Sequence, residues 1–572
     1  MHRFLRRAGL ALAVLAAAVA AVGCGGSSSS SSSSAPATSG GSGASHMGGT
    51  LKLQATGSPD YIDPALAYTV EAWQSLITTD DGLVAFHITE GPQSTELVPD
   101  LATDIAKPED GGLKYVFHVR PGIKYSNGAT VKPSDFTFAF ERSFKVNGAG
   151  TFYWTNLEGY DACITKPKTC DLSKGIEADD SAGTVTFHLT KPDGDFLYKL
   201  AMPFAYALPP NTPIKPATSQ SLPGTGPYVI TSYKAENSLT LERNPNFKEW
   251  APEAQPQGFP DKITWQLGLG GEAMTTNIEN GTADWMYEVP PADRLDQVAT
   301  QYADQFHVHA GPSTYWMDLN TQVPPFNNPN VRKAVNYAMD RNAIVKAYGG
   351  PKLAATTCQV VPPGFNGYEQ YCPYTANPAA DGKGPWTGPD MAKAKQLIDS
   401  SGTKGMDVTV WTNTSDQSKA VGLYFVSLLK QLGYNSSIKS LDRSVYFDTI
   451  EDSKNKTQIM WDDWYPDYPS ASNFINQLLS CDSFIPKSTS NSNDAEYCNK
   501  DVDKLISTAL TQQLTDTAAA NKTWAEADRK ITDDAPWASM FNASWVDFLS
   551  KRVQNYKYST QWFILLDQLQ VQ

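Results

Sequence analysis

Two successive segments in the C-terminal half of the chain place a helical pattern before a strand pattern. The first runs from Met391 through a helical stretch into a strand-like stretch at residues 406–413, and the second repeats this order over residues 420–441. Apolar residues recur at helical spacing in the first part of each segment and alternate with polar residues in the second. Such alternation of elements is typical of an α/β domain with a substantially parallel sheet. We therefore expect an α/β fold for this half of the chain.

Shorter patterns precede this half. Residues 50–55 alternate polar and apolar side chains as in a strand, and helical spacing begins at Val70. Residues 115–119 form a further strand pattern, which a Ser-Asn-Gly turn follows. Ser134 is then expected to cap a helix that carries three phenylalanines at helical spacing.

One long helix is predicted from Asn328 to Val345. Asn328 can cap this helix, and Pro329 suits its first turn. The apolar face that its spacing predicts consists of Val331, Ala334, Val335, Ala338 and Met339.

The N-terminal segment has the character of an export signal. Residues 1–23 begin with basic residues and continue into a small apolar run that is too short to cross a membrane. The run ends in Ala-Val-Gly before Cys24, which resembles a lipoprotein cleavage box and would make Cys24 the lipid-attached first residue of the mature chain. A plain secretory signal with an incidental cysteine is the alternative. Residues 24–47 are rich in serine and glycine and predict a flexible tether.

Length and charge limit the remaining possibilities. Residues 48–572 are too many for one ordinary hydrophobic core and indicate about three domains. The formal net charge of the whole chain is −14, and an acidic surface argues against a nucleic-acid partner. No segment after the N-terminal one is long and apolar enough to cross a bilayer. We therefore expect an exported protein that only a lipid anchor holds to the membrane.

Six further cysteines form three pairs of sequence neighbours: Cys163 and Cys170, Cys358 and Cys372, Cys481 and Cys498. An even number of cysteines in an exported chain indicates disulfides. Six cysteines allow many connectivities, and nearest-neighbour pairing is one of them. A metal site is the alternative, but no pair has C-x-x-C spacing and no histidine lies nearby.

Five motifs in this order resemble the family of oligopeptide- and dipeptide-binding lipoproteins of ABC importers, extracellular solute-binding protein family 5. The motifs are RPGIKYSNGATVKPSDF at 120–136, GTGPY at 224–228, NPNF at 244–247, the segment 324–341, and WYPDY at 464–468. The resemblance extends over nearly all of residues 48–572.

The resemblance implies an α/β, two-lobed periplasmic-binding-protein-like fold of type II (Venus-flytrap) with an extra inserted domain. It assigns lobe I to residues 48–81, 209–312 and 541–572, the inserted domain to 82–208, and lobe II to 313–540. The implied protein is a monomer without a cofactor on the outer face of the cytoplasmic membrane. It would capture oligopeptides between the lobes and deliver them to separate ABC permease subunits.

Residues 460–475 combine several aromatic residues with three aspartates. Three explanations compete: a catalytic acid pair, a cation-binding pocket, and a turn that packs on its own aromatics. By the resemblance, Asp467 would meet the free α-amine of a peptide, and Trp464 would form a wall of the pocket. The alternative for Asp467 is that it only caps the turn between the flanking prolines.

Further ligand contacts are expected outside this loop, each with a core or surface role as its alternative. Tyr68, Thr69 and Val70 follow an Asp-Pro pair where the first lobe of the family touches its ligand, and the inserted domain could reach the cleft. From lobe II, the acidic side chain of Asp463, the turn that begins at Asn413 and the basic side chain of Arg443 could also face the ligand. The candidates in these other segments are Tyr153, Trp154, Asn413 and Arg443, and the acidic side chain of lobe II is Asp463 within the loop itself.

An enzyme is disfavoured, because nucleophile-elbow, P-loop and H-E-x-x-H motifs are absent from the sequence. His307 and His309 could ligate a metal from one strand face, but no third ligand lies nearby in the sequence, so we expect a strand surface and no metal site. Two other functions stay open: the same fold binding a sugar, an opine or a metal chelate, and a peptide sensor.

Overall fold

The computed structural model describes residues 47–572 apart from residue 220 and residues 489–490. The predicted signal segment, Cys24 and nearly all of the tether therefore lie outside the described residues. Among the described residues, no helix has both the length and the apolar character needed to cross a bilayer.

The α-helices are Val70–Leu76 (α1), Pro133–Lys145 (α2), Tyr160–Thr165 (α3), Phe196–Leu200 (α4), Gly271–Glu279 (α5), Ala292–Gln301 (α6), Pro329–Ala338 (α7), Arg341–Tyr348 (α8), Met391–Ser401 (α9), Asp416–Gln431 (α10), Arg443–Ile450 (α11), Ser472–Leu479 (α12), Lys500–Gln513 (α13) and Thr517–Asp534 (α14).

The strands of the described part range from two residues to thirteen. They are Thr50–Ala55 (β1), Val84–Phe86 (β2), Leu97–Pro99 (β3), Lys114–His118 (β4), Ile176–Asp179 (β5), Thr184–His188 (β6), Tyr228–Lys234 (β7), Ser238–Arg243 (β8), Lys262–Leu267 (β9), Trp285–Met286 (β10), Phe306–Ala310 (β11), Thr314–Leu319 (β12), Ala354–Thr356 (β13), Asp407–Asn413 (β14), Asn435–Leu441 (β15), Ile459–Trp464 (β16), Trp537–Leu549 (β17), Val553–Gln554 (β18), Tyr558–Ser559 (β19), Phe563–Ile564 (β20) and Gln570–Val571 (β21).

One sheet of twelve strands dominates the described part. Its strand order is β15-β14-β16-β12-β17-β10-β1-β9-β8-β7, and β11 and β13 also pair with β17. The first residues of β17 pair with β12, so that Ala538 lies opposite Met317. The last residues of β17 pair with β10 and β11, so that Phe548 lies opposite Phe306. One strand therefore belongs to both halves of the sheet.

Each half of the sheet has its own hydrophobic core. In one half, α7, α8 and α10 contribute to a core beside β12, β14 and β16, where Val335, Val410 and Phe425 are fully buried. In the other half, Leu51 and Leu53 of β1 are buried together with β8 and β9. The alternation predicted for residues 50–55 is confirmed only in part, since Lys52 between the two leucines is exposed but Gln54 is buried. Two cores joined by shared strands give a two-lobed molecule.

Residues 84–207 add smaller sheets to this frame. β2 pairs with β3, and β6 lies between β4 and β5. Three of the four phenylalanines of helix α2, Phe136, Phe140 and Phe144, are fully buried in the core of this segment. The same core also includes Tyr468 and Trp562 from outside the segment. The domain boundaries given above stay a prediction.

The predicted start of α2 is wrong by two positions. The helix begins at Pro133, and Lys132 occupies the capping position. The carboxylate of Asp135 accepts a hydrogen bond from the backbone N–H of Lys132 at 2.9 Å. Ser134 instead donates its hydroxyl to Asp180 at 3.0 Å. A carboxylate two residues inside the helix supplies the terminal hydrogen bond that we assigned to Ser134.

The single helix predicted over residues 328–345 is two helices. Asn328 caps α7 by accepting from the N–H of Asn330, as predicted, and the five apolar residues of the predicted face are buried. The chain then becomes extended at Met339, with ψ 131°. Asp340 accepts hydrogen bonds from the N–H groups of Asn342 and Ala343 and begins α8. A capping aspartate offers these donors a partner outside the helical ladder, so the helix restarts there.

The sheet around β16 is mixed and not substantially parallel. β14 pairs in parallel with β15 and with β16, as the alternation of helix and strand predicted. The pairs β12–β16 and β12–β17 are antiparallel. Because β12 and β17 lie outside the repeated helix–strand segments, that pattern carried no information about their direction.

The six cysteines in the described part form three disulfides: Cys163–Cys170, Cys358–Cys372 and Cys481–Cys498. The connectivity is nearest-neighbour pairing, so these thiols are not free to ligate a metal. Closing loops of this length contributes about 2–3 kcal/mol each in the chain-entropy model.

Candidate ligand-binding cavity

A cavity of about 540 Å³ lies between segments that belong to the two halves of the molecule. This volume is within the range of about 300–1,000 Å³ that is ordinary for small-ligand sites. Loops after β1 and β17 contribute one wall, while α11, the end of β16 and the residues after α12 contribute the other. The lining residues lie at 68–70, 73–74, 447, 451, 462–467, 478, 491–492, 494 and 561–563.

Strand β16 ends at this cavity. It lies between β14 and β12 in the sheet, and its last residues, Asp462 to Trp464, line the cavity. Ligands of α/β proteins bind beyond the carboxyl ends of sheet strands, which is where β16 places these side chains. Pro466 follows the strand and has no N–H to donate to a neighbouring strand. The chain therefore turns there, and Asp467 enters the cavity wall.

Asp467 is held by hydrogen bonds while it lines the cavity. Its exposed fraction is 6%. Tyr68 donates its hydroxyl to Oδ1 at 2.9 Å, and the side-chain amide of Asn473 donates to Oδ2 at 2.9 Å. Burial raises the pKa of the Asp467 carboxyl above its usual value, and these donors oppose the shift. An ionised carboxylate has about four acceptor positions, so the two bonds leave capacity for a cationic donor.

Contacts at Asp467 join distant parts of the chain. The side-chain amide of Gln561 donates to the Asp467 carbonyl oxygen at 2.8 Å. The hydroxyls of Tyr68 and Tyr153 lie 3.1 Å apart, and Tyr153 is buried. Asn473 also accepts hydrogen bonds from the Trp464 indole and from the Asp467 N–H, both at 2.9 Å. The turn that carries Asp467 is thus fixed by α12 on one side and by the opposite half of the molecule on the other.

Comparison with known proteins identifies the family of this chain. The model of the bacterial extracellular solute-binding proteins, family 5 (middle region), matches residues 96–485, more than half of the chain. This protein belongs to that family. The resemblance noted in the sequence is therefore confirmed, and members of the family are solute-binding proteins of transporters and not enzymes.

Relatives of this family 5 protein match along most of their length. The dipeptide-binding protein of Escherichia coli (strain K12) is 24% identical over 542 residues, which cover 90% of this chain and 93% of the relative. Heme-binding protein A of Haemophilus influenzae (strain ATCC 51907 / DSM 11121 / KW20 / Rd) is 26% identical over 489 residues, which cover 82% of each chain.

Solved structures share the fold. The structure of clavulanic acid biosynthesis oligopeptide binding protein 2 matches with a TM-score of 0.82 at 22% identity, covering 92% of this chain and 96% of that one. Helicobacter pylori DppA in complex with the peptide STSA matches with a TM-score of 0.71 at 22% identity, covering 92% and 99%. The predicted α/β, two-lobed, type II fold is confirmed.

Six of the ten predicted ligand-contact residues line the cavity of this family 5 protein. They are Asp467, Trp464, Tyr68, Thr69, Val70 and Asp463. Tyr153 lies behind the lining and reaches it through its contact with the Tyr68 hydroxyl.

Two predicted residues lie away from the cavity, and one lies outside the described part. Trp154 is fully buried in the core of residues 84–207, with its ring 4.7 Å from that of Phe140, because its side chain fills that core. Asn413 accepts hydrogen bonds from the Ser415 N–H and the Ser418 hydroxyl at the start of α10, so it serves that turn. The side chain of Arg443 lies outside the described residues.

The two histidines of β11 pack against tyrosines. His307 stacks on Tyr556 with ring centroids 4.0 Å apart, and His309 stacks on Tyr558 at 3.8 Å. The Nε2 atom of His309 lies 2.7 Å from the Tyr556 hydroxyl. These partners explain why both rings are half-buried on the strand.

Sequence reasoning missed several residues of the site. Asn473 and Gln561 hold the Asp467 turn, yet Asn473 was given no role within the segment 460–475, and Gln561 lies outside every motif that we recognised. Asp318, Asp462 and Asp494 bring their carboxylate oxygens within 4.8 Å of one another beside the cavity. Asp462 adjoins Asp463 in the loop that we singled out, but no local pattern points to the other two aspartates.

Proposed function

We propose that this protein is a lipid-anchored extracytoplasmic receptor that captures oligopeptides and delivers them to an ABC permease. The anchor would be Cys24, and the permease subunits would be separate chains. The observation that carries the proposal is a buried carboxylate, Asp467, that lines a cavity between two lobes and accepts hydrogen bonds from Tyr68 on one side and Asn473 on the other. The names of several relatives, among them a dipeptide-binding protein, support a peptide ligand.

The proposed contact is an ion pair between Asp467 and the free α-amine of the peptide. Two unit charges about 4 Å apart attract by roughly 4 kcal/mol at an effective dielectric constant near 20. A micromolar complex has about 8 kcal/mol of binding free energy in total. One ion pair could therefore set the direction in which the peptide binds without supplying all of its affinity. Trp464 and the other aromatic walls would exclude water and strengthen the pair.

A second cavity gives a longer peptide room to continue. Its volume is about 910 Å³, and it lies between residues 152–192 and residues 476–511. Ser492 lines both cavities. A peptide whose first residues occupy the smaller cavity would extend past Ser492 into the larger one. Binding would stabilise the form in which the lobes are closed.

The test compares a peptide with its N-acetylated form by calorimetry. Wild type should prefer the free amine by about tenfold to a hundredfold, the range expected for a hydrogen bond to a charged group. Asp467→Asn should reduce that preference to within about threefold. Asp416→Asn is the matched control, because Asp416 is exposed in the first turn of α10 and outside the cavity. Equal affinity of wild type for both peptides would refute amine docking at Asp467.

The natural ligand can be identified directly. Native mass spectrometry of the purified protein, followed by release and sequencing of what co-purifies, should yield short peptides. Recovery of a sugar, an opine, a metal chelate or a heme instead would replace the peptide proposal with a non-peptide transporter. Heme-binding protein A of Haemophilus influenzae carries such a ligand in its name.

A further inference from the structure

Three aspartates from separate segments meet beside the cavity. Asp318 is on β12, Asp462 is on β16, and Asp494 follows α12. Asp462 lies opposite Trp316 and Met460 lies opposite Asp318 in the antiparallel pair, so Asp318 and Asp462 are diagonal neighbours on one face. All three carboxylates have an oxygen within 4.8 Å of the others. We refer to Asp318, Asp462 and Asp494 as the aspartate cluster.

Two oxygens of the aspartate cluster accept no hydrogen bond from any residue that the structure describes. The exposed fractions of Asp318 and Asp494 are 1% and 7%. Oδ2 of Asp318 and Oδ1 of Asp494 nevertheless accept no hydrogen bond within the described part of the chain. The ion pairs found among the described residues include none of the three aspartates. A buried acceptor without a donor costs free energy, which points to a donor other than the described residues, such as a bound ligand.

The aspartate cluster opens into the cavity that contains Asp467. Asp462 and Asp494 line that cavity, and Glu451 lines it beside them. Phe447 and Leu478 supply apolar lining to the same cavity. Such a wall suits a charged group at the end of an aliphatic stem, which packs its methylenes on apolar surface.

The position of the aspartate cluster relative to Asp467 limits the ligand. Asp467 lies five positions after Asp462, so their Cα atoms are at most about 18 Å apart. A peptide whose amine is at Asp467 could therefore reach the cluster with a side chain from one of its first few residues. Burial raises the pKa of Asp462 and Asp494 well above the usual range, and neighbouring carboxylates add to the shift, so a bound cation would displace protons from these carboxyls and relieve the repulsion between them.

We propose that the aspartate cluster is a second subsite, which binds a guanidinium or ammonium group on an aliphatic chain of the ligand. The preferred ligands are thus peptides with arginine or lysine close to the free N-terminus. A guanidinium has five donors and stays charged, so it can bond to all three carboxylates at once. A divalent cation is the less favoured occupant, because calcium takes about six to eight oxygen ligands and the cluster borders a cavity of organic-ligand size. This inference builds on the proposed function, because it places a side chain of the same ligand.

The experiment uses the full protein and a matched set of tripeptides in calorimetry. Each tripeptide carries arginine, or its neutral isostere citrulline, at the second or third position and alanine elsewhere. Wild type should prefer arginine over citrulline by at least about tenfold at one of the two positions. The double variant Asp462→Asn/Asp494→Asn should bind both peptides within about threefold of one another. Its preference for a free over an acetylated amine should persist, because Asp467 is intact.

Asp467→Asn separates this inference from the proposed function. That variant should lose the preference for the free amine and keep the preference for arginine. If no peptide binds wild type, the proposed function fails. Agmatine then tests the aspartate cluster by itself, because it consists of a guanidinium joined by an alkyl chain to an ammonium. Agmatine should raise the melting temperature of wild type and leave that of the double variant unchanged.

Folding of the variants is checked by their melting temperatures without ligand. Removing two repelling carboxylates should leave the empty protein as stable as wild type or more stable, and Asp494→Asn alone serves if the double variant does not fold. Equal affinity for arginine and citrulline peptides at both positions in wild type would overturn the proposal. So would stabilisation of wild type, but not of the double variant, by millimolar calcium or magnesium, which would make the cluster a metal site.

Discussion

Asp80 shows how burial changes a single acidic residue. Its side chain is 4% exposed, and Oδ2 accepts a hydrogen bond from the Thr79 hydroxyl at 2.6 Å. Oδ1 accepts none within the described part of the chain. Burial raises the pKa of Asp80 to about 7, and the charges of Asp81 and Asp63 add to the shift, while Thr79 opposes it. Asp80 therefore favours its protonated form in the native state at a pH where the unfolded chain is ionised.

We predict that Asp80 makes the stability of this protein depend on pH. Below about pH 4 both states carry the proton, so its contribution to folding is fully present. As the pH rises from about 4 to 7, the unfolded state releases the proton first and the free energy of unfolding falls, by up to about 1.4 kcal/mol per pH unit. The side chain of Asp80→Asn cannot ionise. The free energy of unfolding of this variant minus that of wild type, measured in urea, should therefore be larger at pH 8 than at pH 5.

The control for this prediction is Asp416→Asn, an exposed residue of α10. Its stability relative to wild type should be the same at pH 5 and pH 8. If Asp80→Asn behaves like this control, the pKa of the Asp80 carboxyl does not differ between the folded and unfolded states, and the prediction is wrong.

Helix α2 depends on one buried ion pair. The guanidinium of Arg142 binds both carboxylate oxygens of Asp63, at 3.0 and 2.6 Å, and both side chains are fully buried. Arg142 also donates to the carbonyl oxygens of Pro213 and Lys215. Asp63 in turn accepts from the N–H of Ala217 at 3.0 Å. This one contact fastens the helix to the loop after β1 and to the segment before β7.

Arg142→Met should destabilise the protein by about 3–5 kcal/mol, because it leaves Asp63 buried without its partner. Unfolding in urea measures the change. Adding Asp63→Asn to Arg142→Met should recover part of the loss, since no uncompensated charge then remains.

The matched control for Arg142 is Arg294→Met. Arg294 also pairs with two carboxylates, those of Glu272 and Glu279, but it is partly exposed at the surface. Its loss should cost at most about 1 kcal/mol, as is usual for exposed ion pairs. Equal costs at the two arginines would contradict the role given to burial at Arg142.

At the scale of the whole molecule, β17, which pairs with strands of both halves, defines how the lobes meet. Gly311 lies between β11 and β12, next to the part of β17 that changes partner. A Cβ atom placed on Gly311 would lie 2.1 Å from the carbonyl oxygen of Ala543, closer than any real contact. The two segments therefore approach as closely as they do only because residue 311 has no side chain.

Gly311→Ala should force these segments apart, at a cost of about 1–3 kcal/mol in unfolding free energy, the usual range for overpacking. Because the shared strands set the relation of the lobes, the variant should also lose part of the decrease in radius of gyration that ligand causes in wild type. Small-angle X-ray scattering with and without ligand measures this decrease. Gly57→Ala is the control, since its Cβ would meet nothing nearer than 3.8 Å; the same response in both variants would argue against a special role for Gly311.

The local elements of this fold could be predicted because their signals are local. Apolar spacing located β1, α7, α9, α10 and the strands that follow the last two, since burial of one face requires that spacing. The break between α7 and α8 was missed because the apolar pattern continues across it, while the Asp340 side chain stops the helix. The loop at residues 460–475 could also be singled out, since aromatics and aspartates so close together are unusual.

Sequence by itself thus determined the α/β class, the positions of most of the strands and helices discussed, and the family. The tertiary structure alone decided which segments meet. Asp318 and Asp494 are 176 residues apart, and both lie within 4.8 Å of Asp462, because β12 pairs with β16 and the chain after α12 returns to the cavity. Tyr68 and Gln561 reach Asp467 from opposite ends of the chain. Spacing encodes which face of an element is buried, whereas long-range pairing decides what that face lies against, and no local pattern carries that information.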